Sequence, residues 1–111
     1  MTDQIDREPR DFAVDVVDGD DGATVVVTGE VDLYTAPRLR ERLEEVIDAG
    51  NLALTVELSQ MDFIDSTGLG VLVGAHKRLR ESGGEIRLRN PSRSTFKILE
   101  IAGLTELFPI E

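Results

Sequence analysis

The sequence contains no cysteine and no tryptophan, and it has one histidine and one tyrosine among its 111 residues. Without cysteine, the protein forms neither a disulfide nor a thiolate metal site, and a single histidine leaves few of the usual ligands for a metal centre. No apolar run approaches the roughly 20 residues of a membrane-spanning helix. The polar, acidic start does not resemble a signal peptide. These absences predict a cytoplasmic protein with no metal, no cofactor and no membrane association.

Basic residues are scarce as well, since 12 lysines and arginines face 22 acidic residues and give a formal net charge of −10. Residues 1–22 hold eight of the acidic residues and two arginines, so most of the excess lies there. An acidic surface repels the phosphates of nucleic acids and of anionic lipids. We therefore expect no nucleic-acid partner. We interpret residues 1–10 as a flexible acidic segment and residues 11–111 as one folded domain.

Short apolar or β-branched runs alternate with segments of helical periodicity along the chain. The strand-like runs cover residues 12–17, 23–28, 52–58 and 85–89, with a short extended end at 107–110. The helical segments cover residues 35–49, 66–81 and 92–101, and residues 60–65 are predicted to form a connector. The order β-β-α-β-α-β-α predicts an α/β fold with a mixed, mostly parallel sheet of four to five strands covered by helices.

Two local expectations accompany this pattern. The first helix is predicted to begin with a capping hydroxyl from Thr35 and with Pro37 in its first turn. The last helix is predicted to turn Phe96 and Leu99 inward. Right-handed crossovers place strand-to-helix loops on one edge of a parallel sheet, so residues 29–35 and 62–68 are expected to share an edge, where such folds tend to bind ligands and partners.

The segment around Ser66 carries the most chemical information. Asp65 is a good N-cap for the second helix, and Ser66 then lies in the first turn. A phosphate attached there faces unpaired backbone N–H groups and the positive end of the helix dipole. The fold is therefore predicted to accept a phosphoryl group on Ser66. The alternative is that Ser66 only helps to begin the helix.

The same helix contains glycines, each of which costs about 1 kcal/mol relative to alanine. At about 100° per residue, Ser66, Gly70, Gly74 and Lys77 share one stripe. The opposite face is predicted to hold Leu69, Leu72, Val73, Ala75, His76 and Leu79. A bare stripe would let a partner backbone approach closely. Alternatively, the glycines allow tight packing inside the fold, and the spacing alone leaves both interpretations open.

Catalytic motifs are incomplete, so we predict that the chain is not an enzyme. A hydrolase nucleophile elbow requires Gly-x-Ser-x-Gly, but Ile64 occupies the place of the first glycine. The glycines after Thr67 are spaced one residue too far apart for a dinucleotide fingerprint, and no Gly-Lys-Ser/Thr phosphate loop is present. His76 is expected to be a core or boundary residue.

Several motifs together give the chain a family likeness over about residues 12–110. These are the tracts GEVD at 29–32, VDLYTAP at 31–37, DSTGLGVL at 65–72, GG at 83–84, IAGL at 101–104 and LTELFPI at the end. With them the chain resembles the anti-anti-sigma factors, or anti-sigma factor antagonists, of the STAS domain family, and especially the actinobacterial members.

This resemblance implies regulation by partner switching. The unphosphorylated antagonist binds an anti-sigma factor that is also a serine kinase, and this binding releases the sigma factor. The kinase phosphorylates the serine after the aspartate, which corresponds to Ser66, with Thr67 as the alternative acceptor. A metal-dependent serine phosphatase restores the antagonist, and Asp32 matches a family acidic residue near the phosphorylated serine.

From the stripe and the resemblance together we predict a partner-binding surface made of Asp32, Asp65, Thr67, Gly68, Gly70, Gly74 and Lys77. Two other functions stay open at this point. One is a STAS scaffold or transporter-associated module that is never phosphorylated. The other is a nucleotide binder or enzyme that uses the glycine-rich helix.

Overall fold

The computed structural model describes residues 10–111. The predicted flexible segment lies outside these residues except for Arg10. Eight helices and strands follow one another in this part of the chain: β1 (Ala13–Gly19), β2 (Gly22–Val31), α1 (Ala36–Asp48), β3 (Ala53–Glu57), β4 (Met61–Ile64), α2 (Ser66–Glu81), β5 (Glu85–Arg89) and α3 (Arg93–Ile101). The predicted order is confirmed, with β4 added.

The sheet is mixed and has five strands, as predicted. Its main path is β1-β2-β3-β5, and β4 pairs separately with β2. The β1–β2 hairpin is antiparallel, whereas the β2–β3, β3–β5 and β2–β4 pairs are parallel. Near the end of the chain, Ile110 forms a parallel bridge with Leu88 and extends the sheet beside β5.

Buried residues alternate along the strands, so the core lies on one face of the sheet. Strand β2 alternates partly and fully buried residues along its whole length, as expected for a strand with one face under helices. Leu54 and Val56 of β3 and Ile86 and Leu88 of β5 complete this buried face. Within residues 10–111, no helix combines the length and apolarity needed to cross a bilayer.

Strand β4 is absent from the prediction, which assigned residues 60–65 to a connector. It has only four residues, and its two middle residues are both exposed between buried Met61 and Ile64. This pattern has neither the alternation nor the apolar run that identifies a strand in a sequence. Pairing with β2 also makes residues 29–31 part of a strand, where the sequence predicted a loop.

Of the two α3 residues predicted to point inward, one is confirmed and the other is wrong. Leu99 is fully buried, but Phe96 is 39% exposed. The inward stripe of α3 runs from buried Thr95 to Leu99 instead, four residues apart and therefore on one face of the helix. Phe96 lies on the flank of this stripe.

A strap formed by residues 10–12 crosses the end of β2 and contacts β4 and α1. Gly29 has a positive φ of 89°, and a Cβ at this position would lie 2.7 Å from the carbonyl oxygen of Arg10. The backbone N–H of Arg10 donates to Asp62 at 3.1 Å, and its guanidinium pairs with the same carboxylate. The Phe12 ring lies 4.8 Å from the guanidinium carbon of Arg38. The strap is thus held close to the ends of β2 and β4.

A carboxylate at the end of β3 ties this strand to the end of β5. Glu57 accepts hydrogen bonds from Nε of Arg89 at 2.7 Å and from Nδ2 of Asn90 at 3.2 Å. Partial burial raises the pKa of Glu57, but hydrogen bonds from Ser59, Arg89 and Asn90 outweigh it and lower the pKa to about 2.

The Glu57 carboxylate should make the stability of the fold depend on pH. Because the folded-state pKa lies below the ordinary value of 4.5, ionised Glu57 stabilises the fold above that pH, and the contribution is lost as the pH falls towards 2. We expect Glu57→Gln to reduce stability at neutral pH and to flatten its loss between about pH 5 and pH 2.5. Urea midpoints measure both effects, with exposed Glu106→Gln as control. Parallel pH profiles for wild type and Glu57→Gln would contradict the assignment.

Candidate functional site

The parallel pairing of β2 with β4 brings two acidic residues to one edge of the sheet. Val31 pairs with Ile64, and the N–H of Asp65 donates to the carbonyl oxygen of Val31 at 3.1 Å. Asp32 and Asp65 therefore follow directly after neighbouring strands. The expectation that the two loops share an edge is confirmed, although both loops are shorter than predicted.

Asp65 caps α2, as predicted. Its backbone is extended, with φ −107° and ψ −174°, and its Oδ1 accepts hydrogen bonds from the N–H groups of Thr67 and Gly68 at 2.9 and 3.1 Å. Ser66 is the first residue of the helix, and it is exposed. Within residues 10–111 no hydrogen bond engages the Ser66 hydroxyl. Because Asp65 supplies the cap, Ser66 is not needed for one and its hydroxyl is accessible.

Asp32 has a defined structural role in the loop that follows β2. Its Oδ1 accepts hydrogen bonds from the backbone N–H groups of Tyr34 at 2.9 Å and Thr35 at 3.0 Å. The hydrogen bond from the Thr35 backbone is the main reason that the pKa of Asp32 is lowered from its ordinary value, with further contributions from the Tyr34 N–H and the Thr35 hydroxyl. This carboxylate therefore holds the loop in a fixed shape.

Thr35 closes the same loop and does not cap α1. The structure shows no capping hydrogen bond from its side chain to the start of the helix. Instead its Oγ1 accepts the N–H of Asp32 at 2.9 Å and lies 2.8 Å from the carbonyl oxygen of Glu30. The predicted capping hydroxyl is wrong, because the hydroxyl turns back towards β2. Pro37 lies in the first turn of α1, as predicted.

The glycines of α2 are of two kinds. One packs tightly inside the fold, and the other two leave a bare surface, so both interpretations of the glycine stripe hold, each for different residues. Gly68 is buried, and a Cβ there would lie 2.6 Å from Cγ1 of Val31 and 2.7 Å from Cγ1 of Ile64. It packs within the fold, which corrects its placement on the predicted surface. Gly70 and Gly74 are exposed, and a Cβ at either would meet nothing within 4 Å.

These two open glycines line a shallow groove between α1 and α2. The groove has a volume of about 200 Å³, and Arg40, Glu44 and Arg78 contribute its charged residues. Arg78 pairs with Asp48 of α1 across it. Lys77 is exposed, but at 1.5 Å per residue its backbone lies about 16 Å along the helix from Ser66. The predicted surface is thus a strip along α2 that begins at Ser66.

Three exposed apolar side chains at this edge were not predicted as functional residues. Leu33 is 64% exposed and Tyr34 is 84% exposed, and both lie in the loop fixed by Asp32. Phe63 of β4 is 44% exposed and pairs in register with Glu30. The only signal in the sequence is the pair of apolar residues between Asp32 and Thr35, and apolar loop residues usually turn inward.

Comparison with known protein families matches residues 12–111 to the STAS domain. The chain belongs to the STAS domain family.

Relatives within this family have regulatory names. The anti-sigma-B factor antagonist of Listeria monocytogenes is 40% identical over 91 residues, which are 82% of this chain and 80% of that protein. An anti-sigma factor antagonist from Mycobacterium paratuberculosis has a similar structure, with a TM-score of 0.77 and 30% identity over 90% of this chain and 85% of that one. The Bacillus cell fate determinant SpoIIAA in its phosphorylated form shares the fold, with a TM-score of 0.69 and 22% identity over 91% of each chain.

These relatives support the coarse function of an anti-sigma factor antagonist, which implies an anti-sigma factor as partner. The resemblance inferred from the motifs is confirmed at the level of family and fold. The relatives are named as regulators.

The burial of the other α2 residues shows which face of the helix packs against the core. Val71 is buried. Leu69 is half-buried and packs against the core, in agreement with its predicted place on the inner face, whereas half-buried Val73 is not among the residues packed there, which corrects its prediction. His76 is 7% exposed and its ring packs edge-on against Phe108, with 5.2 Å between the centroids. Burial, together with the charge of Arg80, lowers the pKa of His76. The prediction of a core or boundary histidine is confirmed.

Proposed function

We propose that this STAS domain is an anti-sigma factor antagonist that acts by partner switching. In its unphosphorylated form it binds an anti-sigma factor that has serine kinase activity, and this binding releases a sigma factor. The kinase phosphorylates Ser66 and thereby ends the interaction. A metal-dependent serine phosphatase removes the phosphate and restores binding.

One observation carries the proposal: Ser66 is exposed at the start of α2, while Asp65 alone provides the cap. A helix of 16 residues directs its positive end at this position, so a phosphate on Ser66 is compatible with the helix. Thr67 is the weaker candidate acceptor, since it is half-buried. SpoIIAA, whose phosphorylated form has been solved, shares the overall fold.

The partner surface in this proposal is the strip along α2 together with the neighbouring edge. It includes Asp32, Asp65, Thr67, Gly70, Gly74 and Lys77, and it leaves out buried Gly68. Open glycines are costly in a helix, and no neighbour within residues 10–111 requires them at positions 70 and 74. Close approach of a partner backbone supplies a reason for both.

Phosphate transfer tests the acceptor directly. We expect the purified anti-sigma factor of the same organism, with Mg-ATP, to add one phosphate to the chain, as measured by intact mass and located by peptide mapping. Ser66→Ala should abolish labelling because Thr67, the other hydroxyl in the first turn of α2, is half-buried. Thr67→Val should leave labelling in place. Full labelling of Ser66→Ala, or phosphate mapped to another residue, would refute the assignment.

A further inference from the structure

Leu33 and Tyr34 in the loop after β2 and Phe63 of the neighbouring strand β4 are exposed apolar side chains near the sheet edge that holds Ser66, and they are here called the edge patch. We propose that the edge patch is the apolar anchor by which the chain binds its anti-sigma factor, and that the partner presents an apolar pocket with a basic rim. This inference rests on the proposed function and adds to it the residues that provide affinity. Neither the resemblance nor the α2 strip assigned these side chains a role.

The first argument is the rigidity of the loop that carries two of the three side chains. Two N–H groups of this loop bind Oδ1 of Asp32, and the Thr35 hydroxyl binds the backbone on the other side. The carbonyl oxygen of Asp32 also accepts the N–H of Ala36 at 2.8 Å. Such a network holds the backbone that carries the exposed Leu33 and Tyr34. Apolar side chains on a backbone that is fixed before binding lose less entropy on association, and tyrosine is enriched among binding hot spots.

The second argument is the charge around the edge patch. Residues 30–35 and 61–67 contain Glu30, Asp32, Asp62 and Asp65 and no lysine, arginine or histidine. Arg10 pairs with Asp62 at 3.4 Å, whereas the carboxylates of Asp32 and Asp65 accept backbone N–H groups and have no basic partner in those two segments. A partner that matches this surface places basic residues around an apolar pocket.

The negative charge around the edge patch also indicates which kind of partner binds there. A second copy of the chain would bring acidic groups against acidic groups, which costs several kcal/mol at an interface. An anionic membrane or a nucleic acid would be repelled for the same reason. The partner of the proposed switch must reach Ser66 on this edge. The edge patch and the phosphorylated hydroxyl are therefore expected to contact the same protein.

The test compares two pairs of apolar residues of similar exposure. Leu33→Ser with Tyr34→Ala removes two anchors of the edge patch. Leu52→Ser with Val17→Thr changes two side chains that are 52% and 57% exposed and lie away from that edge. Affinity for the purified anti-sigma factor of the same organism is measured by calorimetry, and folding by thermal melting. We expect at least tenfold weaker binding for the first variant, an unchanged affinity for the second, and unchanged melting for both.

Unchanged affinity of the Leu33→Ser, Tyr34→Ala variant would overturn the edge patch. If phosphorylation of Ser66 still weakened binding in that case, the proposed function would stand without the edge patch. If the phosphorylated chain bound normally while the edge-patch variant bound weakly, the switch would fail and the anchor would remain. Failure of the wild-type chain to bind this anti-sigma factor would overturn both.

A further pair of variants tests the role of the loop hydrogen bonds. Asp32→Asn keeps an oxygen acceptor for the loop N–H groups but removes the charge, whereas Thr35→Val removes the hydroxyl and keeps the charge. If the loop hydrogen bonds position the edge patch, Thr35→Val should weaken binding by about as much as Leu33→Ser alone, and Asp32→Asn should weaken it less because the acceptor remains. An unaltered affinity for Thr35→Val would refute a positioning role for the loop.

Discussion

Phosphorylation of Ser66 is expected to lower the affinity of this STAS domain for its anti-sigma factor by at least a hundredfold. The phosphate adds about −1.5 to −2 charges to an edge that already holds Asp32 and Asp65. A phosphate on this edge must lose its water where the partner makes contact, and a loss of about 2.8 kcal/mol corresponds to a hundredfold weaker affinity. The added group also occupies the start of the bare strip along α2, so close contact with the partner backbone is lost.

The measurement is calorimetry of the unmodified and the phosphorylated chain, with Ser66→Glu as a partial mimic. Glutamate carries one charge and a smaller group, so its effect should be weaker than that of the phosphate. Ser82→Glu is the matched control, because Ser82 is exposed at the other end of the same helix. Binding of the phosphorylated chain within threefold of the unmodified chain would be incompatible with the switch.

No large conformational change is required for this effect. The cap at Asp65 and the buried face of α2 hold the start of the helix in place, and a phosphate at a helix N-terminus is favourable. We therefore attribute the loss of affinity to the surface itself. Melting temperatures of the two forms should agree within a few degrees.

Most of the fold follows from local patterns in the sequence. The β-branched run in β2, the apolar spacing of α1 and the alternation of β5 each identify their element without reference to the rest of the chain. Strand β4 could not be found in this way, because four residues with an exposed pair in the middle owe their strand conformation to pairing with β2. Its absence from the prediction made both loops at the site too long.

The site was predictable where local chemistry determines it. Asp65 before a helix is a strong capping signal, and the crossover rule placed Asp32 on the same edge. The exposure of Leu33 and Tyr34 was not predictable, since the shape of their loop depends on hydrogen bonds from backbone N–H groups to the Asp32 carboxylate and the Thr35 hydroxyl. The burial of Gly68 could have been predicted, because at 100° per residue this glycine lies about 160° from Ser66, on the inner face of the helix.

Substitution of the α2 glycines by alanine is expected to have opposite effects on stability at different positions. At Gly70 and Gly74 a methyl group meets nothing within 4 Å, so each change should stabilise the fold by about 1 kcal/mol through helix propensity. Together they should raise the melting temperature by about 8 °C or more. At Gly68 the methyl would collide with Val31 and Ile64, and overpacking of about 1–3 kcal/mol should exceed the gain in propensity.

Partner binding should change in the opposite direction to stability at the two open positions. If a backbone of the anti-sigma factor approaches α2 closely, the methyl groups of Gly70→Ala and Gly74→Ala hold it away, and the double variant should bind at least tenfold more weakly despite its greater stability. Calorimetry on the double variant, with melting curves on the same samples, separates this effect from unfolding. If the double variant were more stable but kept wild-type affinity, the partner would not dock along this strip, because the added methyl groups would then meet no partner backbone. The two glycines would be left without a function that offsets their cost to the helix.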